Sequence, residues 1–349
     1  MANLFRSALV LVLAISLPTT VVFATTASHK KTHAKKHASS QPVSHKQIAK
    51  GGTKLVRHTI IVNGKRRVVT QRVANVAPLP ERLSAGDLAG LQQTNDGLAL
   101  QSNVAYVVDQ ESSKVLFEKN SSVSLPIASI TKLMTSLVVV EANQDMNEML
   151  EINEEDLDKE KSTGSRLHIG AKLSRADMLH IALMSSENRA ASALGRHYPG
   201  GQHAFVAAMN AKAAQLNMRD THYVDATGLS SQNVASAQDL VKLINAAYQY
   251  PIIREYSTDS KYVVNPSGRP LEYSTTNKLV VNSAWDIGLQ KTGYIAEAGR
   301  CLVMHTMIEG RAIVMVFLDS KGKYSRLADA GRIRKWLETM KPQTLPASY

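Results

Sequence analysis

The apolar and polar positions of this 349-residue chain place strand patterns on both sides of a long helical stretch. The strand patterns occupy five segments, at residues 99–108, 114–118, 287–294, 301–308 and 312–318. Helical periodicity dominates residues 129–250, and a closing helix over about 325–340 carries Ile333, Trp336 and Leu337 on its apolar face. We therefore predict an α+β fold, in which both ends of the domain complete one antiparallel sheet and a helical subdomain is inserted between them.

The first 97 residues differ in composition from the rest of the chain. Residues 1–24 combine a positive charge, a short apolar run and a small-residue cleavage site, which predicts a cleaved signal peptide and export to the periplasm. Residues 25–57 form a basic linker rich in His and Lys, and we predict that it is disordered. Residues 58–97 hold a hairpin pattern around Asn63-Gly64, followed by a linker.

Residues 98–340 are predicted to form a single domain, followed by a tail at residues 341–349. The chain has one cysteine, Cys301, so it cannot form an intramolecular disulfide. Because Cys301 lies in an apolar strand pattern, we interpret it as a buried, inert thiol and not as a nucleophile.

Positive charge is concentrated in the N-terminal segment. Residues 1–80 hold 13 of the 41 Lys and Arg residues and no acidic residue, so the remaining 28 basic and 29 acidic residues nearly cancel. We predict that this segment contacts an anionic surface, wall polymer or lipid headgroups, and not nucleic acid, which an exported protein rarely meets. His29, His33 and His37 have a spacing that could bind a metal, but we favour a basic linker and predict no metal or cofactor.

Three short strings carry the candidate chemistry: Ser129-Ile130-Thr131-Lys132, Ser186-Glu187-Asn188 and Lys291-Thr292-Gly293. Ser-x-x-Lys also begins at Ser28, in the basic linker, and at Ser320, in a polar turn that we expect to be solvated. Ser-x-Asn also begins at Ser231, in a turn-like stretch. Only Ser129 opens a long apolar helix pattern, where Ser129 and Lys132 would share one face and touch.

A serine hydroxyl becomes a good nucleophile only when a base removes its proton. The chain lacks the Gly-x-Ser-x-Gly elbow and the His-Glu-x-x-His metal pair, so Lys132 is the candidate base for Ser129. This requires a lowered pKa, which we expect from desolvation, from the positive end of the helix and from the charge of Lys291. We predict that Ser186 passes a proton to the departing amine and that Asn188 holds a substrate peptide group.

The Lys-Thr-Gly string at the end of a strand is suited to binding an extended peptide along a sheet edge. We predict that Lys291 attracts a terminal carboxylate, that Thr292 bonds to it, and that Gly293 lets the substrate backbone come close. An oxyanion hole needs two N–H donors, for which Ser129 and Tyr294 are the candidates.

The sequence around these strings extends the pattern, at residues 126–134, 182–190, 197–201 and 291–294. In these strings, and over roughly residues 98–340, the chain resembles the serine D-Ala-D-Ala peptidases of the low-molecular-mass penicillin-binding proteins. The resemblance implies a β-lactamase-like fold, with a five-stranded antiparallel sheet flanked by helices. It also implies peptidoglycan stem peptides as substrates and acylation by β-lactam antibiotics.

The family roles implied for this chain are nucleophile for Ser129, base for Lys132, proton relay for Ser186, substrate amide for Asn188 and carboxylate docking for Lys291. Carboxypeptidase relatives add a β-rich domain and an amphipathic anchor, for which residues 341–349 leave no room. This favours the endopeptidase branch, which cleaves cross-links between stem peptides.

Three alternative functions stay open. The first is a carboxypeptidase that trims stem pentapeptides. The second is a class A β-lactamase, which is less favoured because no Glu-x-x-Leu-Asn string lies between Asn188 and Lys291. The third is a wall-binding protein that has kept the fold without the chemistry, and the three intact strings count against it.

Overall fold

The strand patterns at the two ends of the domain meet in one five-stranded antiparallel sheet in the computed structural model of the protein, which describes residues 53–62, 65–74 and 83–340. The thirteen described strands are β1 Thr53–Val62, β2 Lys65–Ala74, β3 Ser102–Asp109, β4 Val115–Lys119, β5 Leu125–Pro126, β6 Met149–Glu151, β7 Lys172–Ser174, β8 Val234–Ala235, β9 Lys261–Val264, β10 Leu271–Ser274, β11 Asp286–Ile295, β12 Gly299–Ile308 and β13 Arg311–Ser320. The sheet has the order β11-β12-β13-β3-β4, so β3, the first strand of the β3–β4 hairpin, pairs with the C-terminal strand β13. The predicted α+β fold with five antiparallel strands is confirmed.

Helices cover both faces of this sheet. The described α-helices are α1 Ala85–Leu88, α2 Thr131–Glu141, α3 Arg175–Met184, α4 Asn188–Arg196, α5 Gly201–Gln215, α6 Ala237–Tyr248, α7 Pro251–Thr258 and α8 Ser325–Thr339. Strand alternation sends Leu302 and Met304 to the face where Ile333 of α8 packs, and Val303 to the face covered by the helical subdomain. Within the described part of the chain, no helix is long and apolar enough to cross a membrane.

The β1–β2 hairpin belongs to a separate unit, which ends at Ala77. Its antiparallel register runs from Thr53 opposite Ala74 to Val62 opposite Lys65, which leaves two residues for the turn. This pairing agrees with the hairpin pattern around Asn63-Gly64, but β1 already begins at Thr53, so the prediction that residues 53–57 belong to a disordered linker is wrong. The predicted signal peptide, the basic linker up to residue 52 and the tail at 341–349 lie outside the described residues.

The sheet domain begins upstream of the boundary at residue 98 that the hydrophobic pattern gave. Ser84 donates a hydrogen bond from Oγ to Oδ2 of Asp319 at 2.7 Å, and Asp96 forms a buried ion pair with Lys119 at 2.8 Å. These polar contacts attach residues 84–96 to the sheet. Polar contacts of this kind produce no apolar periodicity in the sequence, and the hydrophobic pattern therefore placed these residues in a linker.

Two further expectations concern single side chains. Cys301 is fully buried in β12, and burial raises the pKa of its thiol to about 12, as expected for an inert cysteine. The solvated turn expected at Ser320 is wrong, because Ser320 is buried as the last residue of β13 and the exposed turn begins at Lys321.

Candidate active site

Ser129 lies in a single 3-10 turn, Ala128–Ile130, directly before α2. The sequence placed the start of the helix at Ser129, but α2 begins at Thr131. The difference comes with a long-range contact: Ala128 has a φ of 48°, and its carbonyl oxygen would lie 2.0 Å from any Cβ at Gly228. A glycine that follows almost a hundred residues later therefore lets the backbone approach the turn that presents Ser129, the candidate nucleophile.

Lys132 is fully buried in the first turn of α2. Its Nζ lies 3.0 Å from Oγ of Ser129, 2.7 Å from Oδ1 of Asn188 and 2.7 Å from the carbonyl oxygen of Thr227. Burial lowers the pKa of Lys132 to about 7, although the charges of Asp225 and Glu187 partly oppose this effect. The lysine is therefore partly neutral near pH 7, as a general base requires.

Ser186 and Lys291 form a second hydroxyl–lysine pair beside the first. Ser186 follows α3 with a φ of 65°, and its Oγ accepts a hydrogen bond from Lys291 Nζ at 2.8 Å. Lys291 also donates to the carbonyl oxygen of Thr292 at 2.9 Å. Burial, and then the charges of Lys132 and Arg326, hold the pKa of Lys291 well below its usual range. The expected repulsion between the two lysines thus acts on the pKa of Lys291.

Asn188 is the first residue of α4, and its amide is engaged at both ends. Its Oδ1 accepts from Lys132, and its Nδ2 donates to Oγ1 of Thr163 at 3.0 Å. Thr163 is held in turn by Asp158, which accepts from its hydroxyl at 2.6 Å and from its N–H at 2.7 Å. Asn188 therefore joins Lys132 to a loop of the helical subdomain, and the second N–H of its amide is not used in these contacts.

The Lys-Thr-Gly string lies on β11, the edge strand of the sheet. A Cβ at Gly293 would lie 2.8 Å from the carbonyl oxygen of Ile127 and 3.1 Å from the N atom of Ser129, so only glycine lets the strand come this close to the nucleophile. Oγ1 of Thr292 bonds to Oγ1 of Thr276 at 2.6 Å. Tyr294 is half exposed at the end of the strand.

One cavity of about 260 Å³ collects these groups. Its lining residues are Ser129, Thr163, Ser186, Asn188, Leu229, Thr276, Thr292, Gly293, Tyr294, Ile295 and Arg326. Six of the eight predicted site residues thus face a single space, and Lys132 and Lys291 reach it through Ser129 and Ser186. No lining residue in this described part of the chain is an Asp or a Glu.

Sequence reasoning missed several residues that build the site. The carboxylate of Asp225 accepts hydrogen bonds from the backbone N–H groups of Thr227, Gly228 and Ser230, and so shapes the loop that contacts Lys132. The Asp-x-Thr-Gly string was a detectable turn signal for this loop. Arg326, buried on α8, had no such signal, because a buried arginine of a helix cannot be distinguished in sequence from an exposed one.

The competing motif copies are not part of this cavity. Ser231 lies in a turn, and the nearby Asn233 is fully buried, where it donates to Oγ1 of Thr131 at 3.1 Å. Ser320 is buried at the end of β13, and Ser28 lies outside the described residues. Among the residues that the structure describes, no group of three His, Cys, Asp or Glu side chains could hold a metal ion.

Comparison with known proteins shows extended similarity in sequence. A D-alanyl-D-alanine endopeptidase of Pseudomonas aeruginosa is 46% identical over 258 residues, which are 72% of this chain and 83% of that protein. A D-alanyl-D-alanine endopeptidase of Escherichia coli is 44% identical over 252 residues, which are 71% of this chain and 81% of that protein.

Solved structures show the same fold. Penicillin-binding protein D2 from Listeria monocytogenes, in its cefotaxime-bound form, is 26% identical with a TM-score of 0.62, over 69% of this chain and 98% of that chain. A D-alanyl-D-alanine carboxypeptidase from Mycobacterium tuberculosis is 25% identical with a TM-score of 0.63, over 69% of this chain and 92% of that chain. The peptidase S11 family, described as D-alanyl-D-alanine carboxypeptidase, matches residues 91–322. Since this match covers most of the chain, the protein belongs to the S11 family of peptidases.

Proposed function

We propose that this protein is a serine-type D-Ala-D-Ala endopeptidase, which hydrolyses cross-links between peptidoglycan stem peptides through an acyl-enzyme on Ser129. The observation that carries the proposal is the position of Lys132: it is fully buried, its pKa is about 7, and its Nζ lies 3.0 Å from Oγ of Ser129. A serine and a partly neutral lysine at this distance are a nucleophile and its base.

In the first step, neutral Lys132 donates its two N–H groups to Asn188 and Thr227, and its lone pair points at the hydroxyl of Ser129. Nζ takes the hydroxyl proton while Oγ bonds to the carbonyl carbon of the scissile D-Ala. The resulting oxyanion accepts from the backbone N–H groups of Ser129 and Tyr294, the donors expected from the sequence.

In the second step, the C–N bond breaks and the leaving amine takes a proton. Ser186 delivers this proton, because its Oγ faces the same cavity and is held by Lys291. Ser186 is then reprotonated with the proton that Lys132 took from Ser129. Arg326 lines this end of the cavity and puts positive charge there, which favours a substrate carboxylate next to Thr292. Lys291, whose Nζ bonds to Ser186 and to the carbonyl oxygen of Thr292, adds its charge when it is protonated. Water then attacks the acyl-enzyme, with Lys132 again accepting a proton.

A β-lactam would acylate Ser129 by the same first step and remain bound. Rapid release needs a carboxylate that activates water, and the described residues lining this cavity include none. This argues against the β-lactamase alternative. The intact pairing of Ser129 with Lys132 argues against a binding protein without chemistry.

The alternative reaction is carboxypeptidase trimming of stem pentapeptides, which the description of the family favours. The endopeptidase reaction has the support of two relatives at 44% and 46% identity that carry that name. The chemistry on Ser129 is the same in both reactions, and only the leaving group differs.

Export completes the proposal. Residues 1–24 act as a cleaved signal peptide, so the mature enzyme works in the periplasm, where its substrate lies. The basic segment that follows holds the enzyme near an anionic wall or membrane surface by charge attraction.

The test uses purified mature protein and a soluble disaccharide-peptide dimer, with products identified by mass spectrometry. Wild type should release two monomers, and a β-lactam or Ser129→Ala should stop the reaction. Ser28→Ala is the matched control, because its hydroxyl belongs to another Ser-x-x-Lys copy, which lies in the basic linker. Release of D-Ala from a pentapeptide with no cleavage of the dimer would instead select the carboxypeptidase.

A further inference from the structure

A second cavity, of about 420 Å³, adjoins the active site at Tyr294, which lines both spaces. Its other lining residues are Leu83, Ser84, Asp87, Ala296, Gly299, Arg300, Asp319, Ser320, Lys321, Gly322 and Lys323. The cavity therefore lies where β11 ends and turns into β12, next to the loop that precedes α8. Neither the serine chemistry nor carboxylate docking at Thr292 uses it.

Two cations of this cavity lack a carboxylate partner among the described residues. Arg300 lies opposite Tyr294 in the strand register, with its guanidinium carbon 4.3 Å from the centre of the tyrosine ring. Lys323 is exposed on the loop before α8. By contrast, Lys321 is already paired, because its Nζ lies 2.8 Å from Oδ1 of Asp87.

The acidic groups of the cavity are also committed to protein partners. Asp319 is buried, and its Oδ2 accepts from Oγ of Ser84 at 2.7 Å and from Nδ2 of Asn103 at 2.8 Å. Asp87 is neutralised by Lys321. Arg300 and Lys323 therefore leave the open side of the cavity positive, and an anionic group is the ligand that fits it.

The polarity of β11 determines which part of a substrate reaches this cavity. Carboxylate docking at Lys291 and Thr292 and the scissile carbonyl at Ser129 and Tyr294 orient an extended peptide antiparallel to β11. Its acyl-donor part, which precedes the scissile bond, then continues past Tyr294 toward Ala296. At about 3.3 Å per residue, the side chain two positions before the scissile bond comes level with the end of the strand.

We propose that the cavity is a specificity subsite in which Arg300 and Lys323 bind a carboxylate on the acyl-donor part of the peptide substrate. This inference rests on the proposed peptidase function and adds the substrate class, a donor peptide with an acidic group close to its D-Ala. Tyr294 separates the subsite from the reacting atoms, so the two cations select the substrate and take no part in the chemistry.

The test compares acetyl-X-D-Ala-D-Ala peptides in which X is L-glutamate or L-glutamine, so that each enzyme serves as its own reference. Wild type should prefer the glutamate peptide in kcat/KM by about three- to tenfold, the range expected for partly exposed charge pairs. In the Arg300→Ala/Lys323→Ala variant this ratio should fall to about one. Lys335→Ala is the matched control and should keep the wild-type ratio, since this exposed lysine of α8 lies outside the cavity and its loss leaves the Lys321–Asp87 pair intact.

A second peptide pair places the same change on the leaving residue, D-glutamate against D-glutamine. If the double variant loses preference only for this pair, the cavity serves the leaving peptide and the assignment to the donor part is wrong. A wild-type ratio of one for the donor pair, or a ratio that the double variant leaves unchanged, also overturns the proposal. Unchanged thermal unfolding midpoints exclude misfolding as the cause of a lost preference.

Measuring peptide binding without turnover tests the subsite separately from the proposed peptidase function. Titration calorimetry of the donor pair on Ser129→Ala measures the preference without turnover. If wild type cleaves neither these peptides nor the soluble dimer, but Ser129→Ala still binds the glutamate peptide more tightly, the peptidase function fails and the subsite stands. Equal binding of the two peptides removes the subsite even in an active enzyme.

Discussion

The amide oxygen of Asn188 accepts a hydrogen bond from Nζ of Lys132 at 2.7 Å. The asparagine that the sequence predicts to bind substrate is thus also a direct partner of Lys132, the proposed base. A neutral partner at this position leaves the pKa of Lys132 at about 7, where burial has placed it. A carboxylate at the same position would stabilise the ammonium form.

Asn188→Asp should therefore raise the pKa of Lys132 and move the pH dependence of acylation upward. Acylation needs the neutral amine, so its rate rises with pH through the pKa, and the midpoint should shift from about 7 by roughly one to two units. The measurement is the rate of acylation by a fluorescent penicillin from pH 6 to 10. Asn188→Ala is the control: it removes the same bond without adding charge, so its rate should fall with no upward shift of the midpoint.

Lys132→Arg and Lys291→Arg should differ in kind. Arginine at position 132 cannot give up its proton, so penicillin acylation should fall by about 10²- to 10⁴-fold at every concentration and every pH. Arginine at position 291 keeps a cation beside Ser186 and Thr292, so acylation should persist with a weakened apparent affinity. Full acylation by Lys132→Arg would refute the Ser/Lys mechanism.

Gly228→Ala should destabilise the domain and disturb the nucleophile. Gly228 has a φ of 80°, and its Cβ would lie 2.0 Å from the carbonyl oxygen of Ala128, so we expect a loss of about 3 kcal/mol or more in the free energy of unfolding. Gly268→Ala is the matched control, with a φ of 76° and nothing within 4 Å of the new methyl group. It should cost only about 1 kcal/mol. Urea unfolding of the two variants separates the cost of a strained φ, which both share, from the cost of steric overlap, which only Gly228→Ala has. Equal losses in the free energy of unfolding would contradict the overlap.

Deleting residues 25–80 from the mature protein should leave hydrolysis of a small soluble dimer nearly unchanged. All charged residues that the deletion removes are basic, so it should weaken co-sedimentation with intact sacculi, most strongly at low salt, where exposed charges are least screened. The comparison uses full-length and truncated enzyme at low and high ionic strength. Equal sedimentation at low salt would exclude a role of this segment in surface binding.

The strands of the central sheet could be predicted because each carries a run or alternation of apolar residues long enough to show a period. The short strands β5 to β10 could not, since segments of two to four residues have no period. The direction of the Lys132 pKa shift followed from its apolar helix. The extent of its burial depends on the loop that Asp225 folds against it, nearly a hundred residues later in the chain.

The turn at Ser129 illustrates the same limit for the site. Locally the sequence continues as a helix, and the 3-10 turn depends on the close approach of Gly228 and Gly293 to Ala128 and Ser129. Arg326 enters the cavity only because α8 packs across the sheet against β12 and β13. Contacts made by the folded chain determine these features, so local sequence patterns could not predict them.

The partners of Lys132 are spread along the chain, at sequence separations of 3, 56 and 95 residues. In an unfolded chain the same lysine is hydrated and has a pKa of about 10.4, so almost none of it is neutral at pH 7. The hydrolytic capacity of this protein is therefore a property of the finished fold and is absent from every partly folded form in which Lys132 meets water. If the protein cleaves peptidoglycan as proposed, that cleavage can begin only after the contacts of Lys132 with Asn188 and Thr227 have formed.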